Sequence, residues 1–251
     1  MEWVAKAQSL NYLFEPTSVI RSSQINQLET LLSKQNCRPF QIKTYLPTDF
    51  TESVPVTCFD FKAQLLSLLI NNELIHSIEN LDINVEDPFS KFVSSKLTCV
   101  NSGSWYQKVW DFCVKNKNDF LVPIVMACDK TQVSALGKTS VWPITISTTL
   151  FTQSLHNTQK VWKPLGYIYD TSIHESQFQK RRKTPDLIYS CLHTILKSIL
   201  KSYKDAQNDN RLNEIMLTLG HHKKVNLKVP LYFIIGDMQG GSKLCSCSPS
   251  Y

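Results

Sequence analysis

The sequence lacks the features that mark membrane, secreted and repeat proteins. No apolar run reaches the roughly 18 residues that a helix needs to cross a bilayer. The N-terminus, which begins Met1-Glu2-Trp3, has no basic stretch followed by an apolar one, as a secretory leader would have. The chain has no internal repeat and no low-complexity tract, and only 7 of its 251 residues are glycine. These absences predict a nuclear or cytoplasmic protein that is neither secreted nor bound in a membrane.

Cysteine is present, but it is not arranged as a disulfide framework. The chain has 8 cysteines, most of them scattered and several inside apolar runs, where cysteine behaves as a small hydrophobe. Without a secretory signal, reduced thiols are expected. Only Cys245 and Cys247 form a close pair. A structural zinc site takes four ligands, so this pair is at most half a site, and zinc binding is expected only in a longer chain.

What the chain does have is enough apolar sequence for a core and a modest positive charge. Hydrophobic residues make up 42% of it and charged residues 19%, with a formal net charge of +6. This length fits one domain, or one domain and a smaller unit. The charge permits binding to a polyanion without requiring it.

The first part of the chain predicts helices. Residues 1–50 are polar and weakly periodic, and we expect a weakly ordered segment. Residues 51–118 are expected to be mainly helical, because apolar residues recur at helical spacing in two stretches. The first stretch covers 55–80 after a short extended entry, and the second covers 105–115, with Trp105, Val109, Phe112 and Cys113 on one face.

From residue 119 the pattern changes to strands. Two apolar runs, Phe120–Cys128 and Leu227–Ile235, predict buried strands. Two further strands are predicted at Ser140–Thr149 and Trp162–Tyr169. Pro185 is expected to open a helix that runs to about residue 203, and residues 212–219 are expected to extend or follow it.

The resulting order is strand, strand, strand, helix, strand. This order matches the first two-thirds of a ribonuclease-H-like fold. The predicted fold class is therefore α/β, with an incomplete ribonuclease-H-like core over residues 119–251 preceded by the mainly helical region. In that architecture one metal-binding carboxylate lies on the first strand and the second just after the fourth. Asp129 and Asp237 fall at these two places.

The two aspartates are candidates for metal-dependent phosphoryl chemistry. Two carboxylates brought together repel each other, and a divalent cation is the usual remedy. Mg²⁺ prefers carboxylate and water ligands. An aspartate after an apolar run is also a common turn former or helix cap, so both interpretations stay open for each residue taken alone.

Basic residues near these positions are candidates for DNA contact. Lys130 follows the first aspartate and either approaches a phosphate or is an ordinary surface residue. The dense basic run is Lys180, Arg181, Arg182 and Lys183. It can contact a phosphate backbone or act as a nuclear localisation signal, and a solvated loop before a helix is the simpler alternative.

Three segments carry a more specific pattern. They are 128–144 (CDKTQVSALGKTSVWPI), 162–168 (WKPLGYI) and 236–245 (GDMQGGSKLC). With upstream stretches from about residue 55, they resemble transposases of the Plavaka type, in the Kyakuja-Dileera-Zisupton group of DNA transposons. The resemblance implies a DDE/D-type core in which Asp129 and Asp237 are the first two catalytic and metal-binding carboxylates.

The same resemblance implies an activity and its partners. The reaction would be Mg²⁺- or Mn²⁺-dependent strand cleavage and transfer at transposon DNA ends, as in DNA recombination, and oligomeric state is not specified. No acidic residue follows Asp237, so the third carboxylate is missing and we expect a C-terminally truncated fragment that is inactive alone. The alternative is a non-catalytic DNA- or protein-binding module derived from a transposon. A stand-alone nuclease would need another acid, and the candidates all precede the strand of Asp237.

Overall fold

The structure, a computed structural model, describes residues 39–45, 53–75, 77–129, 131–132, 140–169, 185–208, 210–219 and 221–236. These residues form a mixed α/β fold with two mixed sheets and six α-helices, which confirms the predicted α/β class. None of the helices in these ranges has the length and apolarity needed to cross a bilayer. Most of the segment 1–50 lies outside the described residues.

The elements follow one another along the chain in a mixed order. The strands are β1 (Phe40–Tyr45), β2 (Ser53–Cys58), β3 (Asp119–Leu121), β4 (Ile124–Cys128), β5 (Thr131–Gln132), β6 (Ser140–Thr148), β7 (Lys163–Tyr169), β8 (Ile215–Leu219), β9 (His221–Lys228) and β10 (Leu231–Gly236). The helices are α1 (Phe61–Leu69), α2 (Asn72–Ile75), α3 (Ser104–Cys113), α4 (Gln153–His156), α5 (Pro185–Ile199) and α6 (Lys201–Asn208). Short 3₁₀ turns lie at Ile78–Asn80, Val100–Ser102 and Asn210–Leu212.

The larger sheet has the order β1-β2-β7-β6-β4-β10. Each neighbouring pair is antiparallel except the last, because β10 runs parallel to β4. Helix α5 packs across β1, β2 and β7, and one core cluster joins its buried residues Ile195 and Ile199 to Met126, Ile144 and Ile146 of the sheet. The helix lies between β7 and β10 in the sequence, so it belongs to the crossover that makes the final pair parallel.

The smaller sheet has the order β3-β9-β8. Strand β9 is parallel to β3 and antiparallel to β8. The backbone N–H of Val122 donates to the carbonyl of Lys228 at 2.8 Å, and that of Ile124 donates to the carbonyl of Pro230 at 2.8 Å. The parallel ladder therefore passes from the smaller sheet into the larger one, from β3 and β9 to β4 and β10.

Each of the two predicted apolar strands is in fact a pair of strands in different sheets. The first breaks at Val122-Pro123 and the second at Val229-Pro230. Proline has no backbone N–H to give to a ladder, so each strand leaves one sheet at its proline and joins the other. The prediction of two unbroken strands was wrong at these points.

Two further expectations differ from the structure. Residues 215–219 form β8, a strand paired with β9, where we expected a segment that extends or follows the helix. The run at Leu231–Gly236 was expected to be buried, but it is a sheet edge: Phe233, Ile234 and Ile235 are 44%, 42% and 42% exposed. An edge strand is paired on one side only, and the described residues leave both of its faces partly open.

Other sequence expectations hold. Strands β6 and β7 lie where they were predicted, Pro185 begins helix α5, and α3 covers most of the predicted 105–115 helix. Helix α1 begins after Asp60, whose side chain accepts a hydrogen bond from the backbone N–H of Ala63 at 2.9 Å, as an N-cap residue does. The segment 51–118 contains helices α1, α2 and α3, and it also contributes β2 to the larger sheet.

Candidate active-site edge

The parallel pair β4 and β10 fixes the position of the candidate site. In the register of this pair, Gly236 is the partner of Cys128. Asp129 directly follows Cys128, and Asp237 directly follows Gly236 in the sequence. Neighbouring strands lie about 4.8 Å apart, so the chain leaves β4 and β10 at adjacent positions. These positions are at the carboxyl ends of the two strands, and we call this end of the sheet the Asp129 edge. The structure describes Asp129, whereas Asp237 lies outside the described residues.

Asp129 interrupts a ladder that resumes two residues later. Strand β4 pairs with β6 from Ile124 to Cys128, and β5 pairs with β6 in the same register, with Thr131 opposite Val141. In that register the residue opposite Asp129 is Pro143. Pro143 has no N–H to donate to a ladder. Asp129 is exposed, so solvent, a metal ion or a phosphate can reach its carboxylate.

The other predicted site residues lie outside the described residues. They are Lys130, Lys180, Arg181, Arg182, Lys183, Asp237, Cys245 and Cys247. The described part of the chain contains no group of three or more histidine, cysteine, aspartate or glutamate residues that could hold a metal ion. Asp129 offers the hard oxygen donors that suit Mg²⁺ or Mn²⁺, and of the predicted metal ligands it is the one that the structure describes.

Cysteine chemistry has little support from the described thiols. Burial raises the pKa of Cys58 to about 11. Burial also raises the pKa of Cys113, an effect that the nearby ammonium groups of Lys228 and Lys115 oppose. A thiol is a nucleophile only as thiolate, so neither group is activated at neutral pH.

A buried carboxylate that the sequence analysis did not single out lies at the start of β3. Asp119 is 4% exposed. One carboxylate oxygen accepts hydrogen bonds from the backbone N–H groups of Lys115 and Asn116 at 3.0 and 2.9 Å, and the other lies 3.4 Å from Nζ of Lys228. Burial opposes ionisation of this group, but these partners and the Asn226 amide outweigh it, and the pKa of Asp119 is lowered.

Asp119 therefore holds a turn with two lysines against β9. The alternation of lysine and asparagine from Lys115 to Asn118 and the four basic residues from His221 to Lys224 were visible in the sequence. Their meeting depends on the pairing of β3 with β9, strands about a hundred residues apart, which no local pattern reveals.

Comparison with known proteins identifies the family. No curated protein matches the chain. A sequence model of the Plavaka transposase family matches residues 24–247. This match includes the segments around Asp129 and Asp237 and covers most of the 251 residues, which confirms the resemblance drawn from the sequence. The chain belongs to the Plavaka transposase family.

Proposed function

We propose that this chain carries the catalytic edge of a DNA transposase, with Asp129 and Asp237 as two of its metal-binding carboxylates. The observation that carries the proposal is the pairing of Gly236 with Cys128. It makes the two aspartates the first residues beyond paired positions of parallel strands. Ligands of open α/β sheets commonly bind beyond the carboxyl ends of parallel strands.

The sheet order supports the same proposal. Strands β4, β6 and β7 form an antiparallel series, α5 follows in the chain, and β10 returns parallel to β4. This is the arrangement expected for the first four strands of a ribonuclease-H-like core, in which the first and fourth strands carry acids. We assign β4 as the first strand and β10 as the fourth.

The proposed chemistry is hydrolysis or transfer at a phosphodiester of transposon DNA. A bound Mg²⁺ or Mn²⁺ would supply Lewis-acid activation of a water or 3′-hydroxyl and charge stabilisation at the leaving oxygen. The role of Asp129 is to hold the ion at an edge that a DNA backbone can approach, since its side chain is exposed. Lys130 and the run from Lys180 to Lys183 are proposed as phosphate contacts, and the pair Cys245 and Cys247 as two ligands of a zinc site.

Substitution of the aspartates tests the proposal. We expect Asp129→Asn and Asp237→Asn each to weaken Mn²⁺ binding to the full chain by at least about tenfold. Even the loss of a group that only hydrogen-bonds a metal ligand weakens metal affinity by that much. Isothermal titration calorimetry measures this affinity, and nicking of supercoiled plasmid DNA in Mg²⁺ or Mn²⁺ measures any cleavage. Asp205→Asn, on helix α6 away from this edge, is the matched control and should bind Mn²⁺ as the unsubstituted chain does.

The metal-binding readout keeps the test independent of catalytic competence. The prediction that the chain alone is inactive does not affect it, because a bound ion is detected without turnover. Unchanged Mn²⁺ affinity in both aspartate variants, together with DNA binding that needs no metal, would contradict the proposal and favour a non-catalytic binding module.

A further inference from the structure

We propose that the smaller sheet carries a phosphate-binding surface for the DNA backbone, separate from the Asp129 edge. The surface consists of Lys115, Lys117, Lys224 and Lys228, and we call it the lysine surface. The inference rests on the proposed function in taking DNA as the partner. It assigns that partner a contact remote from the site of cleavage.

The lysine surface is held together by contacts between two segments. Nζ of Lys223 on β9 donates to the carbonyl oxygen of Lys117 at 3.4 Å. Asp119 accepts from the backbone of Lys115 and pairs with Lys228. Alternation along β9 puts Lys224 on the same face as Lys228. The four ammonium groups thus come from one turn and one strand that are fixed to each other. Lys223 lies on the opposite face of β9, with its Nζ 5.2 Å from the ring centre of Phe89.

Few negative charges balance these four ammonium groups. Nζ of Lys115 donates to the backbone carbonyl of Asp111 at 2.8 Å, and the carboxylate of Asp111 is paired with Lys91. Asp119 faces them, but it is buried and its two oxygens are already occupied by donors. Glu214, whose backbone N–H donates to the side chain of Asn226, is exposed at the margin of the surface. Within the described ranges, Lys117 and Lys224 are exposed and form no ion pair.

Unbalanced cations of this kind favour a polyanionic partner. Like charges held close to one another repel, and a line of phosphates relieves that repulsion and releases its own counterions. A DNA strand carries one phosphate per 3.4 Å of helix axis. Lys224 and Lys228 are four residues apart on a strand, or about 13 Å at the usual rise, so one backbone could pass both.

The lysine surface and the Asp129 edge are far enough apart to engage different parts of one duplex. Lys228 is paired with Leu121, and Gly236 with Cys128. Eight residues separate Lys228 from Gly236, which amounts to at most about 26 Å, because the chain changes sheets between β9 and β10. That distance corresponds to roughly 8 base pairs of duplex. DNA bound at both places would therefore be held on one flank of the cleavage position.

Two matched triple variants of the full chain test this assignment. The first, K115Q/K117Q/K224Q, removes three exposed lysines of the surface and leaves Lys228 to neutralise Asp119. The control, K43Q/K197Q/K201Q, removes three exposed lysines from β1, α5 and α6. Both variants lose the same charge, so a difference between them reports position alone. Circular dichroism and thermal melting establish that both are folded.

The measurement is the salt dependence of binding to a 20-base-pair duplex of mixed sequence. Fluorescence anisotropy is followed over a KCl series in EDTA. If three phosphate contacts are lost, the slope of log Kobs against log salt becomes less negative by about 2.7 in the first triple variant. The control keeps the slope of the unsubstituted chain. Glu214→Gln should tighten binding, because it removes the acid at the margin of the surface.

Three results would overturn the inference. One is an equal change of the salt slope in both triple variants, which would mean that net charge alone determines binding. Another is an unchanged salt slope in the first variant. The third is competition by polyglutamate as effective as that by DNA at equal charge, which would remove the assignment to phosphate. Because EDTA removes divalent ions, failure of the metal site leaves this measurement unaffected.

Discussion

At the scale of single residues, Gly166 shows how closely helix α5 approaches the sheet. A Cβ at this position would lie 2.7 and 2.8 Å from the Cγ2 and Cγ1 atoms of Ile199 and 2.9 Å from the carbonyl oxygen of Thr57. Such distances are too short for carbon, so the helix or the strand would have to move. We expect Gly166→Ala to lower the free energy of unfolding by about 1–3 kcal/mol, as measured by urea denaturation.

A matched glycine and a second substitution sharpen this prediction. At Gly103 a Cβ would meet only the Val100 carbonyl oxygen, at 3.2 Å. Gly103→Ala should therefore lower the free energy of unfolding by less than Gly166→Ala does. Combining Ile199→Ala with Gly166→Ala should cost less than the sum of the two single losses, because it removes the clashing atoms, even though Ile199 is fully buried and its truncation alone costs about 2–5 kcal/mol. Equal losses for both glycines would contradict the close approach of α5.

Asp119 leads to a second prediction at this scale, which concerns how the free energy of unfolding depends on pH. Its pKa in the folded chain is lowered, so the unfolded chain binds more protons in the acid range. The stability that the carboxylate contributes is therefore present above the ordinary aspartate pKa of about 3.9 and is lost as the pH falls through the lower folded value. We expect Asp119→Asn to flatten the acid decline of the free energy of unfolding, as measured by urea titrations from neutral pH downward.

Lys228 offers a graded comparison for the same effect. Its ammonium group is one of several partners that lower the pKa of Asp119, after the backbone donors and the Asn226 amide. Lys228→Gln should therefore weaken the acid dependence only in part. If the free energy of unfolding of Asp119→Asn instead falls with pH in parallel with that of the unsubstituted chain, the carboxylate of Asp119 is not the group that titrates.

At the scale of elements, α3 supports the edge strand β10 through one aromatic contact. The rings of Trp105 and Tyr232 are 4.6 Å apart and inclined at 63°. An aromatic pair of this kind contributes about 0.5–1.5 kcal/mol. We expect Trp105→Ala to speed hydrogen exchange in the peptide covering 231–236 by roughly 2- to 13-fold, as followed by mass spectrometry.

Another aromatic residue of α3 is the control. Phe112 is 78% exposed and its ring contacts Lys115, whose Nζ lies 5.9 Å from the ring centre. Phe112→Ala should leave exchange in β10 unchanged. Equal acceleration in both variants would indicate that α3 as a whole has loosened, and that the contact of Trp105 with Tyr232 has no particular part in holding the edge strand.

The elements also show where sequence patterns were sufficient. Helix α5 and strands β6 and β7 follow from local signals: a proline at a helix start, helical periodicity and alternation. The strand β8 was misread because its five residues, Ile215–Leu219, are a short apolar run with no period to distinguish a strand from a helix. The divided strands were missed because one apolar run can serve two sheets in turn, with only a proline to mark the change.

At the scale of the whole molecule, the candidate site was predicted in part. The placement of Asp129 after the strand β4 follows from the sequence. The register that pairs Cys128 with Gly236 does not, because it depends on the crossover through α5 and on the smaller sheet that delivers β10. The lysine surface likewise could not be predicted from local patterns: its members lie at 115–117 and 224–228 in the sequence, and tertiary pairing alone brings them together.

The parallel pairing of β4 with β10 has a consequence for the order in which the molecule assembles. Leu231 pairs with Ile124, 107 residues earlier, so this contact closes a long loop, and such contacts form late in folding. A chain still emerging from the ribosome has β4, its antiparallel partner β6 and Asp129, but not β10. Under the proposed function, the two aspartates cannot share a metal ion until nearly all of the sequence to Asp237 has been translated and folded.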